Sequence, residues 1–229
     1  MHVPDGFLSL PLSAGTGVVA AVGVAAALRG ARRELDERTT PLAGLVATFV
    51  FAAQMLNFPV AAGTSGHLIG GALAAVLVGP WTGTLVLTVV LVVQAFLFAD
   101  GGVTALGTNI TLMGLVGVWV GWGVFLLVRQ VLPRRSGSIT VASVIGAFVS
   151  VPVAAVVFAA LFAIGGQVPI DPAALFVVMG GVHLVIGVGE GVITGLAVAS
   201  VMATRPDLVY GARTLVSERP LEVRGGVAA

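Results

Sequence analysis

The sequence predicts an all-α integral membrane protein with seven transmembrane helices, an outside N-terminus and a cytoplasmic C-terminus. Three observations lead to this fold class. The chain has 229 residues, of which 58% are hydrophobic and only 9% charged, whereas a soluble domain is about a quarter charged. The apolar residues form seven segments, and the basic residues cluster after the first, fifth and seventh. We therefore expect a multi-pass protein of the cell (inner or plasma) membrane.

The seven apolar segments differ in length. A transmembrane helix needs about 20 residues, and the third and fourth segments, at 68–78 and 85–98, are shorter. They are joined by Gly79-Pro80-Trp81 and could form a re-entrant hairpin. The other segments are predicted at 11–28, 41–56, 110–127, 139–164 (with Pro152 inside it) and 173–202.

The basic residues determine the predicted orientation. All eleven are arginines, at 29–38, 129–135 and 205–224, and seven spans place them on one side, which is the cytoplasm. The opposite face carries Asp5, Asp100 and Asp171 without arginine, which reflects either topology alone or attraction of cations. We predict a transmembrane domain at 1–204 and a partly disordered cytoplasmic tail at 205–229.

Missing residue types exclude several function classes. Without cysteine there is no disulfide, thiolate metal site or iron–sulfur cluster, so a metal must be held by nitrogen or oxygen. Without lysine there is no Walker A loop, so the chain is not expected to be its own P-loop ATPase. We also expect that it is not an enzyme of another class. The start lacks a basic region before its first apolar run, so we expect the N-terminus to be retained. The expected partner is the bilayer and not nucleic acid.

Met1 and His2 form a candidate metal-binding sequence. A free amine followed by His offers the amine, the deprotonated His2 amide and the His2 ring as donors. Such a set binds in one plane, and a fourth nitrogen completes the geometry of Ni(II) or Cu(II). The turn sequence Pro4-Asp5-Gly6 could fold this segment back into the protein. The alternative is a chance His in a frayed terminus.

His67 opens the third segment on the same predicted outer face as Met1. It follows Gly63-Thr64-Ser65-Gly66, where Thr64 or Ser65 is expected to cap the helix. A lone His at a helix start is more often structural. Its significance therefore depends on pairing with His2.

His183 and Glu190 are ionisable residues inside the seventh segment, which makes them functional candidates. They share one helix face but lie about 10 Å apart along the axis, too far for one metal ion. The equal alternative is a buried polar network with Gln54, Gln94 or Asn109.

A rival motif is Gly63-x-Ser65-Gly66, which fits rhomboid-type intramembrane serine proteases. His183 would then be the base for Ser65. The spacing from His183 to Gly187 is one residue off the His-x-x-Gly of that family, so the signal is weak.

Five stretches together resemble the CbiM/NikM family, the substrate-specific components of energy-coupling-factor transporters for cobalt and nickel. They occur in order up to about residue 203, and their combination is specific although each alone is not. They are Met1-His2-Val3-Pro4-Asp5-Gly6-Phe7-Leu8, Met55-Leu56-Asn57-Phe58-Pro59-Val60, Gly63-Thr64-Ser65-Gly66-His67-Leu68, Phe98-Ala99-Asp100-Gly101-Gly102-Val103-Thr104-Ala105-Leu106-Gly107, and His183 through Glu190 to Thr194.

The resemblance implies a metal ion held by the Met1 amine, the His2 amide and ring, and the His67 ring. The metal would be the transported substrate, Co²⁺ or Ni²⁺, and cobalt carriers usually serve cobalamin synthesis. Uptake would require a transmembrane coupling protein and two ATPase subunits, with a small accessory membrane protein in the cobalt branch. Nickel members often carry a fused membrane domain after the last helix. Nothing apolar follows Met202, which favours cobalt.

These expectations form one hypothesis, in which the N-terminal segment plugs an outward cavity and completes a nitrogen site with His67. Polar side chains of the outer face would orient the ligands or balance charge, namely Asp5, Asn57, Asp100 and Asn109. Two alternatives stay open, the protease and a metal sensor that transports nothing. Copper suits the same nitrogens.

Overall fold

The fold is a bundle of helices whose bounds follow the apolar segments. A computed structural model describes residues 2–37, 39–56, 58–61 and 64–215, with the side chains of 58–61, 64 and 65 left aside. The elements are α1 (Leu10–Ala31), α2 (Thr39–Gln54), β1 (Phe58–Ala61), β2 (Thr64–Gly66), α3 (Gly71–Val78), α4 (Pro80–Leu97), α5 (Leu106–Asn109), a π-helix (Ile110–Gly117), α6 (Val118–Val131), α7 (Ser136–Gly165) and α8 (Pro172–Thr204).

Five helices in the described residues are long and apolar enough to cross a membrane. They are α1, α4, the continuous helix Leu106–Val131, α7 and α8, while α2 has 16 residues. The helix α3 has only eight residues, or about 12 Å, so the third segment is short as expected. The fourth is longer than predicted because α4 begins directly after Gly79, with Pro80 at its first position.

The surfaces of the outer helices are apolar. On α1 and α8, large hydrophobic side chains such as Val22, Val185 and Leu196 are well over half exposed. A continuous apolar surface of this kind suits contact with lipid and not water. The interior is filled by small and branched side chains of α3, α4 and α7.

The two ends of the bundle carry different charges. At one end, Arg213 donates to the Glu34 carbonyl (2.8 Å), and the Glu34 carboxylate accepts from the first amides of α4. The 18 residues of α4 span about 27 Å, and Asp100 beyond its far end contacts His2. Arginine and the N-terminal segment therefore lie at opposite ends, as the sequence predicts.

The first part of the tail packs on the bundle. Short 3₁₀ helices at Pro206–Leu208 and Tyr210–Ala212 follow α8. Val209 and Ala212 are buried, and Arg129 of α6 donates to the Gly211 carbonyl at 2.9 Å. Residues 216–229, most of the predicted disordered tail, lie outside the described residues.

The predicted cap of the third segment was wrong. Thr64 and Ser65 belong to β2, whose backbone pairs antiparallel with β1, and α3 begins only at Gly71. A buried carboxylate from α8 binds the two amides that directly precede this helix. It could not be found from local sequence because it lies 120 residues away.

Candidate functional site

The N-terminal segment, residues 2–8, is docked into the end of the bundle by its main chain. The Asn109 amide binds both sides of Val3, accepting from the Val3 N–H (2.8 Å) and donating to the Val3 carbonyl (3.1 Å). The Gly102 N–H donates to the same carbonyl at 2.9 Å. Asn109 thus acts as an additional peptide group, and it directly precedes the π-helix, which the sequence pattern did not indicate.

Asp5 secures the turn of the segment. Its carboxylate accepts from the Thr104 N–H (2.7 Å) and from the Thr104 hydroxyl. These bonds lower the pKa of Asp5. Asp5 therefore holds the segment to the 100–105 loop. The sequence analysis included Thr104 in a family motif but did not identify it as the partner of Asp5.

The end of the segment is held by packing and a main-chain bridge. Phe7 is buried and its ring stacks on Phe158 of α7, with centroids 5.8 Å apart. Leu8 forms an antiparallel bridge with Gly166, and Gln167 N–H donates to the Phe7 carbonyl at 3.0 Å. The segment is therefore an integral part of the bundle over residues 2–8.

These contacts bury the His2 ring. Its Nδ1 lies 3.0 Å from Asp100 Oδ1, and its Nε2 lies 3.1 Å from Gln94 Oε1. Burial lowers the pKa of His2, and the nearby Asp100 carboxylate opposes this shift. The sequence named Asp100 as an orienting group but placed Gln94 only in a structural network. The position of Gln94 near the end of an apolar segment was the sequence feature that could have indicated a role in the site.

His67 is fully buried and has a defined tautomer. Its Nδ1 lies 2.6 Å from the Leu68 carbonyl, which can only accept, so Nδ1 carries the proton and Nε2 a lone pair. Nε2 has no hydrogen-bond partner among the described residues. Burial lowers the pKa of His67 well below its usual value, with smaller contributions from His2 and His183. The ring is therefore neutral, the form that binds metals.

The structure brings the His2 and His67 rings together, as the sequence hypothesis requires. They stack with centroids 4.4 Å apart and an angle of 25° between planes. The nitrogen lone pairs of two stacked rings lie in nearly parallel planes about 4.4 Å apart, so they do not converge on one point between the rings. A metal ion bound by both rings in one plane therefore requires the His2 ring to rotate.

Glu190 holds the main chain that follows His67. Its buried carboxylate accepts from the Ile69 N–H (2.7 Å) and the Gly70 N–H (2.6 Å), the two amides directly before α3. Gln54 donates to the Ile69 carbonyl at 2.7 Å. The Glu190 and Gln54 side chains thus both bind the main chain of Ile69, one at its N–H and one at its carbonyl.

His183 repeats the pattern of His67. It is buried in α8, and its Nδ1 lies 2.8 Å from the Met179 carbonyl, so Nδ1 carries the proton. Its Nε2 lone pair also has no hydrogen-bond partner in the described part of the chain. Metal-binding histidines typically donate their second N–H to such a carbonyl.

The predicted site residues are brought together as far as the structure describes them. His2 and Asp5 belong to the docked segment, His67 and Asp100 contact His2, and Asn109 binds Val3. Two predicted members, Met1 and Asn57, lie outside the described residues. Among the described residues, no three His, Asp or Glu side chains lie close enough to hold a metal ion. A metal site here therefore needs main-chain nitrogen or a rearrangement of side chains.

Comparison with known proteins identifies the family. Residues 2–208 match CbiM, described as the cobalt uptake substrate-specific transmembrane region. A protein of Haloquadratum walsbyi is 41% identical over 211 residues, which cover 92% of this chain and 94% of that one. The fused nickel transport protein NikMN of Rhodobacter capsulatus is 32% identical, covering 100% of this chain and 70% of that one.

A solved structure agrees in fold. The crystal structure of a truncated transition metal transporter superposes with a TM-score of 0.82 at 30% identity, covering 89% of this chain and 99% of that one. Members of this family are components of metal transporters and not known enzymes. The protease hypothesis built on Ser65 and His183 is therefore dropped. The chain belongs to the CbiM/NikM family of membrane proteins for cobalt and nickel transport.

Proposed function

We propose that this chain binds a divalent transition-metal ion between its N-terminal segment and His67, as the substrate-binding component of an importer. The observation that carries the proposal is the His67 Nε2, a buried lone pair without a partner among the described residues, beside the His2 ring. An unsatisfied buried acceptor costs about 1–3 kcal/mol. Coordination of a metal ion would remove this cost.

The proposed ligands are four nitrogens, from the Met1 amine, the His2 amide, the His2 ring and the His67 ring. The amine and amide close a five-membered chelate ring, and the amide and His2 Nδ1 close a six-membered one. Three donors thus come from the first two residues, which is consistent with the lack of a three-side-chain cluster in the described residues. Co²⁺ ranks first because the family description names cobalt uptake, and Ni²⁺ ranks second.

Capture of the metal would move the His2 ring. Asp100 and Gln94 hold its two nitrogens, and the ring stacks on His67. Rotation would release Nδ1 toward the metal, while Asn109 keeps Val3 in place. Asp100 would then balance the charge of the ion and Asp5 would fix the turn. Asn57, which lies outside the described residues, is a further proposed member of this outer group.

The proposed membrane arrangement has seven crossings, counting the short helices, with the N-terminus outside and the arginine end in the cytoplasm. Import would require a transmembrane coupling protein and two ATPase subunits, with a small accessory membrane protein as a further candidate. The imported cobalt would serve cobalamin synthesis. The energy-coupling-factor type of assembly is inferred from the resemblance and from the absence of lysine, which excludes a Walker A loop.

The test is metal binding by purified protein with a native N-terminus. His67→Ala should lower Co(II) affinity by at least about a hundredfold, because it removes a ligand. Ser150→Ala is the matched control, since this buried hydroxyl bonds only to the Ala147 carbonyl of its own helix among the described contacts. Equal affinity of the His67→Ala variant and the wild type would refute the site.

Transport distinguishes the importer from a metal sensor. Proteoliposomes that contain the chain with its coupling protein and ATPase subunits should accumulate radioactive Co²⁺ in an ATP-dependent manner. The same vesicles with the His67→Ala variant should not. Tight binding without accumulation in either case would favour the sensor.

A further inference from the structure

Gln94 contacts a proposed metal ligand but belongs neither to the four proposed nitrogens nor to the outer group that orients them. Its side chain is fully buried near the end of α4, and its Oε1 lies 3.1 Å from the His2 Nε2. An amide oxygen can only accept a hydrogen bond, so this contact requires a proton on His2 Nε2. Gln94 therefore bears on which His2 nitrogen keeps a lone pair.

The other nitrogen of the His2 ring has a different kind of contact. Nδ1 lies 3.0 Å from Asp100 Oδ1, but it makes no hydrogen bond of normal geometry with any described residue. A neutral imidazole carries one ring proton, so it can donate to only one of the two oxygens. The well-aligned bond to Gln94 favours the proton on Nε2 and leaves the lone pair on Nδ1.

The proposed chelate requires this tautomer of His2. Its six-membered ring closes through His2 Nδ1, so Nδ1 must be unprotonated and the proton must sit on Nε2. Histidines that bind metals nearly always donate their second N–H to a fixed acceptor, which orients the ring. His67 shows the reverse arrangement, in which the Leu68 carbonyl accepts from Nδ1 and Nε2 stays free. Each ring thus has one acceptor that selects the nitrogen offered to the metal.

The bond to Gln94 can persist while the His2 ring turns. Capture of the metal requires rotation of this ring about its Cβ–Cγ bond. Nε2 lies close to that rotation axis, whereas Nδ1 lies farther from it. Rotation therefore swings Nδ1 away from Asp100 and displaces Nε2 much less, so that Nε2 stays within reach of the Gln94 oxygen.

The main chain of Gln94 also places Asp100. The Asp100 N–H donates to the Gln94 carbonyl at 3.1 Å. Between them, Ala99 has φ +51°, a left-handed conformation that turns the chain back after the end of α4. One residue thus fixes both partners of the His2 ring, one through its side chain and one through its carbonyl.

We propose that Gln94 is a positioning residue of the metal site, which holds the His2 Nε2–H before and after metal capture and so leaves Nδ1 free for the chelate. The inference rests on the proposed function, because it takes His2 Nδ1 as a ligand. Asp100 is then the partner that the ring exchanges for the metal ion, and Gln94 is the partner that it keeps.

The affinity experiment compares two substitutions of Gln94 in purified protein with a native N-terminus. Gln94→Met keeps the length of the side chain but has no strong acceptor, so Co(II) affinity should fall by about tenfold or more. Gln94→Glu keeps an accepting oxygen in place and should bind Co(II) within about threefold of the wild type. Equal losses in both variants, or no loss in Gln94→Met, would overturn the proposal.

Thr88→Val is the matched control on the same helix. The Thr88 hydroxyl bonds only to the Thr84 carbonyl of α4 among the described contacts, at 2.7 Å. This variant should keep the Co(II) affinity of the wild type. A loss equal to that of Gln94→Met would show that any disturbance of α4 weakens the site, and would overturn a specific role of Gln94.

A spectroscopic experiment uses the metal-free wild-type protein and does not depend on folding of a variant. The ¹⁵N chemical shifts of labelled imidazoles distinguish the two tautomers. At alkaline pH, where the rings are neutral, His2 should carry its proton on Nε2, while His67 and His183 should carry theirs on Nδ1. A Gln94 amide in the reversed orientation would donate to Nε2 and place the His2 proton on Nδ1. That result would overturn the proposal.

The same spectrum of Gln94→Met separates positioning from a structural role. Without the Gln94 oxygen, Asp100 is the remaining acceptor at the ring, so the His2 proton should move to Nδ1. The His67 and His183 signals should stay as they are. An unchanged His2 signal in Gln94→Met would show that Gln94 does not select the tautomer.

The two proposals fail in different ways. If His67→Ala leaves Co(II) binding intact, the proposed function itself is wrong. If His67→Ala abolishes binding while Gln94→Met preserves both the affinity and the His2 tautomer, only the role of Gln94 is wrong.

Discussion

Two buried glutamates bind main-chain amides at or just before the starts of successive helices, at opposite ends of the molecule. Glu190 accepts from Ile69 and Gly70 before α3, next to His67. Glu34 accepts from Trp81 (3.2 Å) and Thr82 (2.7 Å) at the start of α4. The same contact therefore occurs in two regions, which we name the histidine end and the arginine end.

The difference lies in what each carboxylate holds in place. The Glu190 contact lies next to His67, whose Nε2 has no hydrogen-bond partner among the described residues. The Glu34 contact lies next to the tight turn at Gly79, and Arg213 of the tail donates to the Glu34 carbonyl. Similar chemistry thus positions a candidate ligand at one end and closes a helical hairpin at the other. Matched substitutions at the two ends can separate binding from stability.

The largest expected contrast comes from the glutamates themselves. Glu190→Gln places an amide donor against an N–H, which should displace the His67 segment and lower Co(II) affinity by about 10–100-fold. Glu34→Gln should leave the affinity within about twofold. Each should cost about 1–3 kcal/mol of stability. Titration with Co(II) and thermal melting of both variants test this, and equal affinity losses would remove the distinction between the two ends.

The second contrast uses two glycines with positive φ. Gly70 has φ +76°, and a Cβ there would lie 2.8 Å from Val50 Cγ2, while Gly79 has φ +97°, and its Cβ would lie 2.4 Å from Glu34 Cδ. Alanine should destabilise both positions by at least about 1–2 kcal/mol. Co(II) affinity should fall about tenfold only for Gly70→Ala. A comparable loss for Gly79→Ala would contradict the assignment of the turn to the arginine end.

The third contrast concerns the docked N-terminal segment. Asn109→Ala removes two hydrogen bonds to Val3, worth about 1 kcal/mol each, so docking weakens and Co(II) affinity should fall about tenfold. The control at the arginine end is Arg129→Gln, which loosens the bond to the Gly211 carbonyl. Hydrogen exchange of the Val3 amide should accelerate only in Asn109→Ala. Unchanged exchange there would show that Asn109 does not hold the segment.

The smallest effect is expected at Arg213. Arg213→Ala removes one bond to the Glu34 carbonyl, and a partly exposed bond of this kind contributes at most about 1 kcal/mol. Thermal melting should therefore shift slightly, with Co(II) affinity unchanged. An altered affinity would mean that the tail is coupled to the histidine end.

Much of the fold could be predicted because the bilayer leaves a chain few options. All seven apolar segments contain helices, and the arginines of the described residues lie at one end as expected. The short third helix was also anticipated. The π-helix after Asn109 and the extended β2 at Ser65 were not, since neither leaves a periodic signal in the sequence.

The candidate site was predictable in its residues and not in its contacts. Composition excluded sulfur ligands, and position two of the chain indicated His2. The bonds from Glu190 to α3 cross 120 residues of sequence, so no local pattern could reveal them. The tautomers of His67 and His183 depend on single carbonyls, and only three-dimensional structure defines those neighbours.

The central claim is that the N-terminus itself binds the metal at the histidine end. The most direct measurement is Co(II) affinity of purified protein with the native N-terminus and with the Met1 amine acetylated. Acetylation removes the amine donor and its five-membered chelate ring with the His2 amide, so affinity should fall by at least about a hundredfold. Equal affinities for the native and acetylated proteins would contradict the account.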